Sequence, residues 1–187
     1  MKYLACFLEE QSAKEMLKGI LPRLLPDDIE PKYIVFEGKY DLEKQLVHKL
    51  QRWLEPDTFF LVMRDQDSSE CKDVKKKLSD LCREAGKPET LVRIACHELE
   101  SFYFGDLSAV EKGLGISNIA GQQKKAKYRD PDSIIDPSGK LKILTKGNYQ
   151  HIMGSRNIAP HLSLDNNASR SFNALVSGIK KLLATAI

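Results

Sequence analysis

Apolar residues in this 187-residue chain fall into short runs in its first hundred positions and into scattered helical stripes after that. Residues 2–9, Tyr33–Phe36, Phe59–Met63 and Thr90–Cys96 are nearly continuous in large or β-branched side chains, which predicts strands buried on both faces. Between them, Met16, Leu17, Ile20, Leu21, Leu24 and Leu25 recur at helical spacing over 13–25, with a kink expected near Gly19 because Pro22 follows. Ser12 and Glu15 have the spacing of a capping box at the start of that helix. Leu42, Leu46, Leu50 and Leu54 mark a second helix from Asp41, and Val74, Leu78 and Cys82 mark a third over Lys72–Glu84, which Gly86 and Pro88 close.

Strand and helix alternate, so a largely parallel sheet of about four strands with helices on both faces is predicted, joined by right-handed crossovers. Past residue 100, Phe102, Tyr103, Phe104 and Leu107 predict a helix starting near His97, and Ala109–Leu114 another short turn. Residues 117–165 read as irregular loops and short helices, a lid or insertion over the strand ends. An amphipathic helix over Ser169–Ala186 closes the chain. The whole chain is expected to form one domain, with residues 1–106 as the α/β core and 107–187 as a basic, loop-rich extension.

Charge divides the two parts. Residues 1–106 carry 17 Lys and Arg against 21 Asp and Glu, while residues 107–187 carry 12 against 5. Lys124, Lys125, Lys127 and Arg129, with Arg156 and Arg170, are the candidate contacts to a nucleic-acid backbone. Acids collect where the strands end: Glu9 and Glu10, Glu37, Asp65 and Asp67, Glu98 and Glu100. Ligands of open parallel sheets bind beyond those carboxyl ends. In an extended chain Asp65 and Asp67 would point to one side, and a divalent cation would relieve their repulsion. Glu9, Asp65 and Asp67, with Glu98 or Glu100, are therefore candidate ligands of one or two Mg²⁺ or Mn²⁺ ions, which take oxygen donors. Such ions activate water and neutralise charge on a phosphoryl group.

The four cysteines lack metal spacing, and no apolar stretch has the length of a membrane span or signal peptide, so a reduced, cytoplasmic protein is expected.

Three segments carry a resemblance: Leu8-Glu9-Glu10-Gln11-Ser12-Ala13-Lys14-Glu15, Leu61-Val62-Met63-Arg64-Asp65-Gln66-Asp67, and His97-Glu98-Leu99-Glu100-Ser101-Phe102-Tyr103-Phe104-Gly105-Asp106, with Ser169-Arg170-Ser171-Phe172 near the end. In this order they resemble a bacterial TOPRIM-like family catalogued as a domain of unknown function (family 4276). More distantly they resemble the TOPRIM domain of topoisomerases, primases and overcoming-lysogenisation-defect nucleases. The resemblance implies a TOPRIM-like, Rossmann-like fold and a metal-dependent nuclease. Its catalytic residues would be Glu9, Asp65 and Asp67, and Glu98 and Glu100 would match an E-L-E motif. It further implies a role in phage defence with an AAA/ABC-type ATPase as partner. DNA ahead of RNA as substrate, and a homodimer, are further expectations. The chain departs from many TOPRIM domains in carrying Glu10 where they have Gly. Two other readings stand beside the nuclease: a non-catalytic module that binds nucleic acid or an ATPase, and a phospho-receiver-like signalling domain.

Overall fold

The computed structural model describes residues 2–184. The four apolar runs become β1 (Lys2–Leu8), β2 (Ile29–Val35), β3 (Thr58–Asp65) and β4 (Leu91–Ala95), joined in one sheet in the order β2-β1-β3-β4. All neighbours are parallel, with Leu8 opposite both Val35 and Met63, and Asp65 opposite Ala95. The crossovers are α1 (Gln11–Ile20), α2 (Lys39–Gln51) and α3 (Cys71–Glu84). This is the Rossmann-like α/β architecture that the alternation of strand and helix predicts.

Pleating sorts the strand residues into two cores. Ala5, Phe7, Phe60, Val62, Val92 and Ile94 pack against α2 and α3, which contribute Leu42, Leu46, Leu50, Val74, Leu78 and Cys82. Leu4, Cys6, Leu8, Leu61 and Met63 face the other side, where α1 brings Met16, Leu17 and Ile20. One helix cannot cover that face of four strands, and the second half of the chain supplies the rest. It forms α4 (Ser101–Phe104), α5 (Leu107–Leu114), α6 (Pro137–Leu144), α7 (His151–Ile158) and α8 (Arg170–Ala184), with 3₁₀ turns between them. Phe102, Tyr103, Val110, Tyr149, Ile158 and Phe172 all belong to the α1 core. The basic segment therefore contributes a structural layer, and the starts of α6, α7 and α8 reach the strand ends, through Ser138, His151 and Ser171.

Several boundaries differ from the sequence reading. β2 begins at Ile29, four residues early, because an edge strand tolerates Pro31. Glu10, not Ser12, occupies the N-cap position of α1, so the capping box is absent; Glu15 is instead buried against α7, accepting from Arg156 Nε at 2.7 Å. The helix expected from His97 begins at Ser101, because His97 takes a left-handed backbone (φ 57°). The closing helix is seen over Arg170–Ala184, and residues 185 and 186 of its expected span lie outside the described residues. No helix among the described residues is long and apolar enough to cross a membrane.

The second layer sits close because glycines face it. A Cβ on Gly19 of α1 would lie 2.5 Å from Ala159 Cβ and 2.8 Å from Pro160 N, and one on Gly113 of α5 would lie 2.5 Å from Asn157 O. Gly19→Ala should therefore lower stability, by roughly 1–3 kcal/mol of overpacking that exceeds the gain of about 1 kcal/mol in helix propensity. Thermal denaturation checks this; an unchanged or raised Tm would show that α1 and the 159–161 turn can separate freely.

Candidate functional site

β1 and β3 meet at the point where the chain reverses its direction of travel across the sheet, the place where such sheets open a crevice at their carboxyl ends. Glu9 continues β1 by one residue, its N–H donating to Met63 O at 3.3 Å, and its Oε2 accepts from Asp65 N at 3.0 Å. Glu10 follows in extended backbone, its carboxylate accepting from the Ser12 hydroxyl. Asp65 ends β3 on the α1 side of the sheet. Burial raises its carboxyl well above the usual range, and the charges of Glu10, Glu100 and Glu9 raise it further; the Leu99 N–H works the other way. Glu9, Glu10 and Glu98 are also raised, in each case first by burial. These acids share a poorly solvated space that favours a proton or a cation over a full set of negative charges.

The neighbouring Arg64 points to the opposite face of β3. Its side chain is 3% exposed and no ordinary core residue, so its donors are all engaged. Nη1 donates to Glu43 Oε1 at 2.8 Å, Nη2 to Asp67 Oδ2 at 3.3 Å and Nε to the Asp65 carbonyl at 2.9 Å, with Glu9 Oε2 at 3.8 Å. Asp67 also accepts from Lys39 Nζ at 2.8 Å. The expectation that Asp65 and Asp67 face one point is not met. β3 ends at Asp65, and Asp67 is left-handed (φ 56°) with its N–H bonded to His97 O, so the two-residue alternation of a strand no longer applies. Asp67 lies with cations on the α2 side, and Asp65 with acids on the α1 side.

Glu98 and Glu100 diverge as well, because the chain turns helical there: Ser101 N donates to Glu98 O and Tyr103 N to Glu100 O. Glu98 Oε2 accepts from Ser138 N at 2.8 Å, at the start of α6 where a carboxylate is favoured. Glu100 is 2% exposed, and its Oε1 accepts from the Tyr149 hydroxyl at 2.6 Å and lies 3.2 Å from His151 Nδ1. That contact raises the His151 imidazole above its usual range. His151 Nε2 is 3.1 Å from Ser138 Oγ, completing an acid–imidazole–hydroxyl chain. Acyl transfer would need free N–H donors beside that hydroxyl. Ser138 N is taken by Glu98 and Gly139 N by Asp136, so the chain serves to fix His151 at the rim of the acidic cluster.

Among the basic candidates, Lys124, Lys125, Lys127 and Arg129 are exposed on the turns at 120–129. Arg170 pairs with Asp130 at 3.0 Å, and Arg156 is engaged with buried Glu15 between α1 and α7. Sequence reasoning missed Arg64, Tyr149, Ser138 and His151 as members of the site. Arg64 had a signal, since a lone guanidinium at the end of an apolar strand must find buried partners; the other three come from distant elements with no local pattern. Among the described residues no group of three or more His, Cys, Asp or Glu side chains converges closely enough to hold a metal ion. The donor chemistry nonetheless suits a hard cation, since Glu9, Glu10, Asp65 and Glu100 offer only oxygen.

A sequence model of the family described as a domain of unknown function (DUF4276) matches residues 8–180, and the chain belongs to that family. No curated protein and no solved structure matches the chain.

The raised carboxyls give a pH signature. An acid whose pKa is raised by folding contributes its full stability below the unfolded value, about 4, and loses it as pH rises through the folded value. In EDTA, Asp65→Asn should match the parent near pH 4 and exceed it by roughly 1 kcal/mol, or about 2–4 °C in Tm, at pH 7–8. A variant less stable than the parent at pH 7–8 would show that Asp65 is compensated by a partner.

Proposed function

We propose that this member of the DUF4276 family is a TOPRIM-type nuclease that hydrolyses phosphodiester bonds of nucleic acid with one or two Mg²⁺ or Mn²⁺ ions. The observation that carries the reading is Asp65 at the switch point of the sheet, its carboxyl raised first by burial and then by the charges of Glu10, Glu100 and Glu9. Asp65, Glu9 and Glu100, whose side chains do not converge on one point in this structure, would have to turn toward the metal to hold it, with Glu10 beside them. When bound, the metal supplies water activation and neutralises charge on the phosphoryl group. Burial raises the Glu9 carboxyl, and the Asp65 N–H that donates to it fixes it against the end of β3. Asp67 holds Lys39 at the edge of the site, and Glu98 positions the start of α6. The exposed Lys124, Lys125, Lys127 and Arg129 give the chain its surface for an anionic backbone.

The phospho-receiver reading shares this strand order but finds less support. A phosphoryl-accepting aspartate needs a nearby cationic side chain, and the two at these strand ends, Lys39 and Arg64, are engaged by Asp67 and Glu43. The ATPase partner and the role in phage defence rest on the resemblance alone.

Plasmid DNA, single-stranded DNA and RNA incubated with the purified protein should be cleaved in Mg²⁺ or Mn²⁺ and spared in EDTA. Asp65→Asn should lower the rate at least 100-fold, while Lys76→Ala on the far side of α3 should not change it. Equal cleavage by Asp65→Asn would overturn the assignment.

A further inference from the structure

A cavity of about 430 Å³ opens between the turns at 126–134 and α6, away from the acidic cluster. Its walls are Tyr128, Ile134, Ile143 and Leu144; its rim carries Lys127, Lys140 and Lys146. Other lysines, such as Lys39, Lys76, Lys77 and Lys180, are ion-paired, but none of these three pairs with a carboxylate among the described residues. Lys127 lies instead over the Tyr128 ring, 4.7 Å from its centroid. Tyr128 is itself held flat against Phe104, with ring centroids 5.4 Å apart and planes at 20°, so this wall is fixed.

One feature of α6 is poorly suited to water: Ile143 is 79% exposed at the cavity. Lys146, just past α6, adopts the left-handed backbone (φ 52°) of a helix C-terminal cap, with Gly147 N donating to Lys142 O at 2.8 Å. That reversal ends α6 and sets Lys146 on the rim.

We propose that this cavity receives one unstacked base of a single-stranded nucleic acid, whose flanking phosphates sit on Lys127, Lys140 and Lys146. The volume suits a base with its sugar, the apolar walls suit its flat faces, and three separated cations match a chain with one charge per nucleotide better than a ligand with a single anionic head. A paired base in a duplex cannot enter. The exposed Lys124, Lys125 and Arg129 on the adjoining turns would carry the strand onward. The inference rests on nucleic acid being the ligand of the proposed function, and it names single strands as the class preferred.

The test is fluorescence anisotropy of labelled single-stranded DNA, single-stranded RNA and duplex DNA, all in EDTA so that cleavage plays no part. Ile143→Asp changes an exposed residue and leaves the fold intact. It should weaken single-strand binding at least fivefold and leave duplex binding as it is. Lys140→Glu/Lys146→Glu should weaken single-strand binding and make its salt dependence shallower, whereas Lys76→Glu/Lys180→Glu, the same change of charge elsewhere, should do neither. Comparing the two single strands shows whether DNA or RNA is held more tightly. Single-strand binding by Ile143→Asp equal to the parent's would overturn the proposal. Because no metal is present, cavity-dependent binding without nuclease activity would leave this inference standing and count against the proposed function alone.

Discussion

Crowding of carboxylates at the ends of three parallel strands is the constraint around which this protein is arranged. Glu9 and Glu10 follow β1, Asp65 ends β3 and Glu100 lies in the turn after β4; burial first, and then the neighbouring charges, disfavour ionisation of Asp65, Glu9 and Glu10. Most folds would place a lysine or arginine among such groups. Here the nearest guanidinium, Arg64, lies on the other face of β3, binding Glu43 and Asp67 while holding the Asp65 carbonyl. Arg64 thus compensates Glu43 and Asp67 and lies 3.8 Å from Glu9, and His151 sits against Glu100, whereas no lysine or arginine among the described residues pairs with Asp65 or Glu10 on the α1 side.

The second half of the chain completes the acidic cluster. Its helices cover the α1 face of the sheet, and that packing brings Tyr149 and His151 onto Glu100 and the start of α6 onto Glu98. Buried Glu15 and Arg156 tie α7 to α1, so an ion pair that looks like a surface feature in the sequence fixes the layer carrying the site's histidine. Stability and site geometry rest on the same contacts, and substitutions in the α1–α7 seam should be felt at both.

Most of the α/β core was legible in the sequence. Continuous apolar runs ending in acids gave the four strands, and the positions of Glu9, Asp65 and Glu100 at strand ends followed from them. What failed had local physical causes. The early start of β2 is hidden by Glu30, Pro31 and Lys32, residues that an edge strand accepts and a central one does not. The division of Asp65 from Asp67 depends on one left-handed residue, which no periodicity announces. The capping-box pattern at Ser12 and Glu15 was outweighed by burial of Glu15 against Arg156. The helices after residue 100 are short and joined by 3₁₀ turns, so their contacts with the strand ends are tertiary facts without a sequence signature.

The central claim is that this acidic cluster takes up a divalent cation, and the most direct measurement is calorimetric titration of the protein with Mn²⁺ at pH 7.5, followed by the same titration of Asp65→Asn. The account predicts saturable binding by the parent, accompanied by proton release because the carboxyls are raised in its absence, and loss of both in the variant. Binding of equal affinity by Asp65→Asn, or no binding by the folded parent, would contradict it.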